Sequence, residues 1–192
     1  MIDPNPQALN FLLNRRSRPA KILTSPVPSS IQLEPILRAG LRAPDHGKLE
    51  PWRLLVLERL ALQRLAKLAK MRGYELKIDE EKITKVYDQF ANADLAIAVI
   101  EAPVIAKKVP AIEQTYSTGA VCLQLLNAAL ASGWGANWLS GWASHDRLFV
   151  ERGLNIAPHE RVAGFIHIGT ERATPPERPR PDLKEKVIWV SQ

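Results

Sequence analysis

Residues 36–58 read ILRAGLRAPDHGKLEPWRLLVLE, and no other stretch of the chain says as much about its architecture. Ile36, Leu37 and Leu41 continue an apolar face that begins at Ile31 and Leu33, which predicts a helix capped by Ser29 or Ser30. Pro35 falls in its first turns, where a missing N–H is tolerated. The helix should end near Ala43, because Pro44 disfavours α geometry in the residue before it and Asp45, His46 and Gly47 are loop formers. APDHGKLEP is then an exposed polar loop, and WRLLVLE a strand. A helix, a histidine-bearing loop and a strand in this order point to an interleaved α+β chain.

On the N-terminal side, Gln7 to Arg16 carries Ala8, Phe11 and Leu12 at helical spacing and breaks into the basic run RRSRP. On the C-terminal side, Leu62, Leu65, Leu68 and Ala69 mark the inner face of a helix whose lysines form a solvated face. Glu75 to Phe90 reads as a charged helix and ADLAIAVIEAP as a buried strand ended by Pro103. The pattern from Ala111 to Ser132 is the longest helical one, rich in small residues that permit close approach, and suits the centre of the fold or of a dimer. GWGANWLSGW holds three glycines and three tryptophans and reads as a strand between tight turns. A short helix over Asp146 to Arg152 and the strand RVAGFIHIG come next. After Thr170 the Pro/Arg-rich TERATPPERPRPDLKEK cannot form a core, while the closing VIWV is apolar enough to dock somewhere.

The chain of 192 residues is 46% hydrophobic and 24% charged, which suits one domain (1–192) with an extended arm over about 171–192. One cysteine excludes a disulfide framework within the chain and points to a reducing compartment. No window of about 18 apolar residues occurs and the N-terminus lacks a secretory pattern, so the expectation is a cytoplasmic protein without a membrane partner. The net charge of +6 suggests an anionic partner without naming it. The dinucleotide, P-loop, zincin and G-x-S-x-G signatures are absent. The four histidines are scattered, and His167 in an apolar strand reads as a core imidazole, so no metal is expected. Cys122 reads as a small buried hydrophobe. What remains is arginine in unusual places, at 15, 16, 18, 42, 178 and 180, a residue suited to forked hydrogen bonding of phosphate.

RRS at 15–17, the 36–58 stretch with RAPDH followed by PW, G-x-x-W-x-S-G at 135–141 and G-x-x-x-x-G-T at 164–170 together resemble the FMN-dependent nitroreductase family, in its short bacterial branch. The resemblance implies a nitroreductase-like α+β fold, a central, mostly antiparallel sheet flanked by helices, and a homodimer that exchanges extended C-terminal arms and holds FMN in its interface. It implies that Arg15, Arg16 and Ser17 hold the phosphate and ribityl side of FMN, with Arg178, or Arg180 two residues on, closing from the tail. Arg42 and His46 would stand beside the flavin, the histidine coming from the other subunit, and Trp138, Leu139 and Ser140 would line the ring. The activity implied is transfer of hydride from NAD(P)H through flavin N5 to a nitroaromatic, quinone or similar small acceptor by a ping-pong scheme. The flavin carries that chemistry, and no side chain is required as nucleophile. Where better-studied members carry S-x-x-N-x-Q-P-W, this chain has DHGKLEPW, with Lys48 for the Asn and Glu50 for the Gln. Two other readings stay open from the sequence: an FMN-binding protein without turnover, and a basic nucleic-acid-binding module. The second is disfavoured because the basic residues are not interleaved with aromatics and no binding motif occurs.

Overall fold

A computed structural model of the chain describes residues 3–192. Its sheet contains five strands: β1 (Leu23–Thr24), β2 (Trp52–Glu58), β3 (Leu95–Glu101), β4 (Gly135–Leu139) and β5 (Arg161–Glu171). Every pairing is antiparallel. β2 pairs with β3 and β3 with β5, while β4 pairs with β5 over Phe165–Gly169 and β1 pairs with the end of β5 at Thr170 and Glu171. β3 is buried along its whole length, and its side chains alternate between two cores. Ala96, Ala98 and Ile100 face one core, and Leu95, Ile97 and Val99 face the other. This explains why its sequence is continuously apolar rather than alternating.

The first core packs α3 (Arg59–Glu75), α4 (Glu80–Ala91) and α7 (Arg147–Leu154) on the sheet. Its centre is Phe90, whose ring meets Phe165 edge-on at 5.1 Å between centroids. Trp142, in the single turn α6 (Trp142–His145), packs against this core. Arg72 on α3 forks onto Asp146 with two bonds of 2.9 Å, tying α3 to the N-terminus of α7. Asp146 also caps α7 by accepting the Phe149 N–H, and these bonds hold its carboxyl below the usual range.

The second core lies under α2 (Ser30–Gly40) and α5 (Ala111–Ala131). Ser29 caps α2 in a reciprocal capping box with Gln32. Leu33 and Ile36 are buried as expected, but Ile31 is 82% and Leu41 41% exposed, so the buried face is narrower than the apolar pattern. Pro35 sits in the second turn rather than the first, and the carbonyl it leaves unpaired is that of exposed Ile31, where water can serve. α2 crosses α5 closely because residue 40 is Gly: a Cβ there would collide with Leu125 Cδ2.

α5 ends in a Schellman turn, with Trp134 N–H donating to Ala129 C=O and Gly133 N–H to Leu130 C=O. Gly133 has φ +82°, the left-handed geometry this turn needs. The turn delivers the chain into β4. α1 (Pro6–Asn14) buries no residue in the single chain. The arm after β5 contains one short helix, α8 (Leu183–Lys186). Beyond it Val187, Ile188, Trp189 and Val190 are exposed, the last three by more than 80%, so the apolar end docks nowhere on its own subunit.

Candidate active site

The segment after α1 and β4 are brought together by two hydrogen bonds, one between backbones and one from a side chain. Arg18 N–H donates to Ala136 C=O at 2.8 Å, and Asn137 Nδ2 donates to Arg18 C=O at 2.8 Å. This lays Arg15, Arg16 and Ser17 beside the strand that carries Trp138 and Leu139 and leads to Ser140. The arm joins the same place, since Arg16 Nε donates to Pro176 C=O at 3.2 Å.

Arg15 is the unusual member. Its Nη1 reaches Asn127 Oδ1 on α5 at 3.3 Å, but its Nε is buried without a hydrogen-bond partner. Burial, and then the positive charge of Arg180, push its proton affinity down. A half-buried guanidinium with a buried, unused N–H, next to a second cation, has the chemistry to take an anion. Arg180 is thus the arm arginine whose charge acts on Arg15, and it pairs with Glu177 at 3.1 Å. Arg178 contributes its backbone N–H to the same Glu177 carboxylate.

Trp138 lies over β5, where Gly164 makes room for it: a Cβ on Gly164 would collide with Trp138 Nε1. Leu139 is half-buried. Ser140 Oγ stands 3.5 Å from His145 Nε2 on α6, a partner that the sequence does not single out.

Arg42 and His46 occupy a second location. The loop from Pro44 to Pro51 is pinned from several sides. Ser117 on α5 donates to Pro44 C=O and accepts from Trp52 Nε1, and Asp45 accepts the Glu50 N–H. Gly47, Lys48 and Glu50 all have positive φ, so three of four consecutive residues are in strained or left-handed geometry. His46 Nδ1 meets Glu113 Oε2 at 2.5 Å in the first turn of α5. Arg42, Lys48 and Glu50 are exposed.

The two locations are held by opposite ends of one helix. Glu113, which holds His46, and Asn127, which holds Arg15, are 14 residues apart on α5. At the α-helical rise this is about 21 Å, too far for both groups to serve one end of one small molecule. Arg15, Arg16, Ser17, Trp138, Leu139, Ser140 and the arm arginines therefore form one group within a subunit, and Arg42 with His46 another.

Asn127, Glu113 and Ser117 are not legible as site residues in the sequence, because each acts on a partner more than 60 positions away in the chain. Cys122 is buried in α5, and burial pushes its thiol up to about 12, so it is inert packing. Among the described residues no cluster of metal-ligand type occurs, and no helix is long and apolar enough to cross a membrane.

An α+β fold with an antiparallel sheet, a half-buried arginine with an unpartnered N–H after the first helix and a histidine loop held by the central helix defines a class rather than a single enzyme. The Nitroreductase family model matches residues 12–170, and the chain belongs to that family of oxidoreductases. It is 34% identical over 163 residues to YdjA of Escherichia coli (strain K12), which bears a provisional NAD(P)H nitroreductase name, covering 85% of this chain and 87% of that one. The fold superposes on a nitroreductase-like family protein from Bacillus cereus with TM-score 0.81 at 22% identity, covering 100% of both chains. It also matches a protein from Desulfovibrio desulfuricans, provisionally named a nitroreductase and solved in complex with FMN, with TM-score 0.74 at 22% identity over 98% of each chain.

Proposed function

We propose that the protein is an FMN-dependent NAD(P)H oxidoreductase that works as a homodimer, with FMN in the subunit interface and a nitroaromatic, quinone or similar small molecule as acceptor. The observation that carries this reading is the buried Arg15 Nε without a partner beside Arg180. A terminal phosphate satisfies that donor and relieves the repulsion between the two cations, so the residues present fit the cofactor. Arg15, Arg16 and Arg180 would hold the phosphate, with Ser17 at the ribityl side. Trp138, Leu139 and Ser140 would line the ring from β4.

The separation along α5 accords with a dimer in which the 42–46 loop reaches the site from a second copy. The exposed apolar residues Leu9, Leu12 and Leu13 of α1 and the exposed end of the arm give that copy a surface to cover. In this arrangement Arg42 and His46 of the partner subunit stand beside the ring.

When bound, FMN supplies hydride transfer between the nicotinamide and the acceptor, each using the ring in turn in a ping-pong scheme. The chain's own residues would do three things: the arginines would hold the phosphate end, Trp138, Leu139 and Ser140 of the β4 region would line the ring, and the pinned 44–51 loop would offer a histidine beside it. A cytoplasmic location accords with this role. The test is the visible absorbance spectrum of the purified protein, with FMN titration if it is colourless. One FMN per subunit is expected, followed by bleaching with NADH or NADPH and recovery on adding a quinone. A folded dimer that does not take up FMN would sink the proposal.

A further inference from the structure

The arm crosses the arginine group as a stiff segment. Residues 174–181 read TPPERPRP, with prolines at 175, 176, 179 and 181. Each proline fixes its own φ and favours extended backbone in the residue before it, so Arg178 and Arg180, each followed by a proline, have little conformational freedom. Arg16 Nε anchors the segment by donating to Pro176 C=O at 3.2 Å. The next residue is Glu177, the one carboxylate of this stretch.

Glu177 Oε1 accepts the Arg178 N–H at 2.9 Å and meets Arg180 Nη2 at 3.1 Å. The Arg178 N–H, and then the charges of Arg180 and Arg16, hold its carboxyl below the usual range. The arm therefore brings a carboxylate as well as a guanidinium to the group. That carboxylate offsets part of the positive charge gathered by Arg15, Arg16 and Arg180, but it does not serve the buried Arg15 Nε, which has no partner.

A phosphate monoester carries a charge of about −1.5 to −2 at neutral pH. Placed on Arg15 Nε, it repels Glu177 and attracts the Arg180 that Glu177 holds. The side chains of Arg180 and Glu177 are 52% and 67% exposed, so the pair parts without leaving a buried charge behind.

We propose that Glu177 competes with the phosphate of the ligand for Arg180, and so sets how strongly the site prefers a phosphorylated flavin to an unphosphorylated one. The inference rests on the FMN reading for the identity of its ligand. Arg180 exchanges one anion for another: it turns from Glu177 to the phosphate, and Glu177 turns to water.

The test titrates the full-length protein, stripped of flavin, with FMN and with riboflavin in a calorimeter. Glu177→Gln keeps the size of the side chain and removes its charge. It should tighten FMN by roughly two- to fivefold at about 0.01 M salt, the scale of an exposed ion pair, and leave riboflavin unchanged. At about 1 M salt the gain should vanish, because the charges are then screened. Glu185→Gln makes the same change of net charge on α8, farther along the arm, and should leave FMN unchanged.

Equal tightening by the two variants would reduce the effect to net charge and overturn the proposal. Unchanged or weaker FMN binding by Glu177→Gln would also overturn it, since that is the result if the Glu177 to Arg180 pair only holds the arm in place. A parent protein that binds neither flavin ends the flavin reading, and inorganic phosphate followed by phosphorus NMR then replaces FMN as the probe. Tighter phosphate binding by Glu177→Gln than by the parent would uphold the competition; equal or weaker binding would overturn it.

Discussion

Arg15 shows how a single buried, unpartnered N–H can point to a ligand. A charge-assisted hydrogen bond is worth about 1.5–3 kcal/mol, so Arg15→Ala should weaken FMN by roughly 10- to 100-fold. Riboflavin, which lacks the phosphate, should bind the variant and the parent alike; isothermal titration with both ligands separates the two, and unchanged FMN affinity would remove the phosphate assignment. His167 is the contrasting case, a buried imidazole with no partner for either nitrogen, beside a cavity of about 10 Å³. Burial lowers its pKa from 6.5 to about 4. The unfolded chain therefore binds a proton below pH 6.5 that the folded chain refuses until about pH 4. Folding stability should fall across that window as the pH drops, by at most about 3 kcal/mol. Urea melts at pH 7 and 4.5 should show this loss, and His167→Leu should be flatter over the same range. His167 is readable as a core residue from the apolar strand around it. The orphan Nε of Arg15 is not readable, since it depends on how α1, α5 and the arm pack together.

Among the elements, α2 and α5 depend on local choices that the sequence states openly. Ser29→Ala removes a cap satisfying a backbone N–H and should cost about 1 kcal/mol in chemical denaturation. Gly40→Ala places a methyl group into Leu125 at the crossing of α2 and α5, and should cost about 1–3 kcal/mol by overpacking. A neutral Gly40→Ala would show that the crossing can open without penalty. The buried strand β3, the long helix α5 and the strand β4 appear where the periodicity puts them. The apolar face of α2 is wider than its buried face, because an apolar pattern does not say how many of its residues the neighbouring helix covers. α4 begins five residues later than the charged pattern beginning at Glu75, since α3 continues through Glu75 and the chain turns there.

At the scale of the molecule, one subunit leaves an apolar arm end and an apolar first helix in water. Removing residues 183–192 deletes Trp189, a side chain of a type that buries about 150–250 Å² at interfaces. The truncated protein should dissociate at roughly tenfold or more higher concentration in sedimentation. Because the proposed site draws Arg15 and His46 from different copies, dilution to monomer should release FMN in step with dissociation. FMN retained by monomers would show that one subunit holds the cofactor by itself.

The sequence by itself determined the α+β class, the places of the major strands and helices, and the family, because hydrophobic period, caps and turn residues are local and survive as short motifs. It also marked Arg15, Arg16, Arg42 and His46 as residues in search of a role. Only the tertiary structure decided which of them stand together. It tied Arg15 and His46 to α5 residues about 21 Å apart along the helix, and gave Arg180 to Arg15 and Glu113 to His46. Those pairings join residues far apart in the chain, and local sequence pattern carries no record of contacts made through a shared helix.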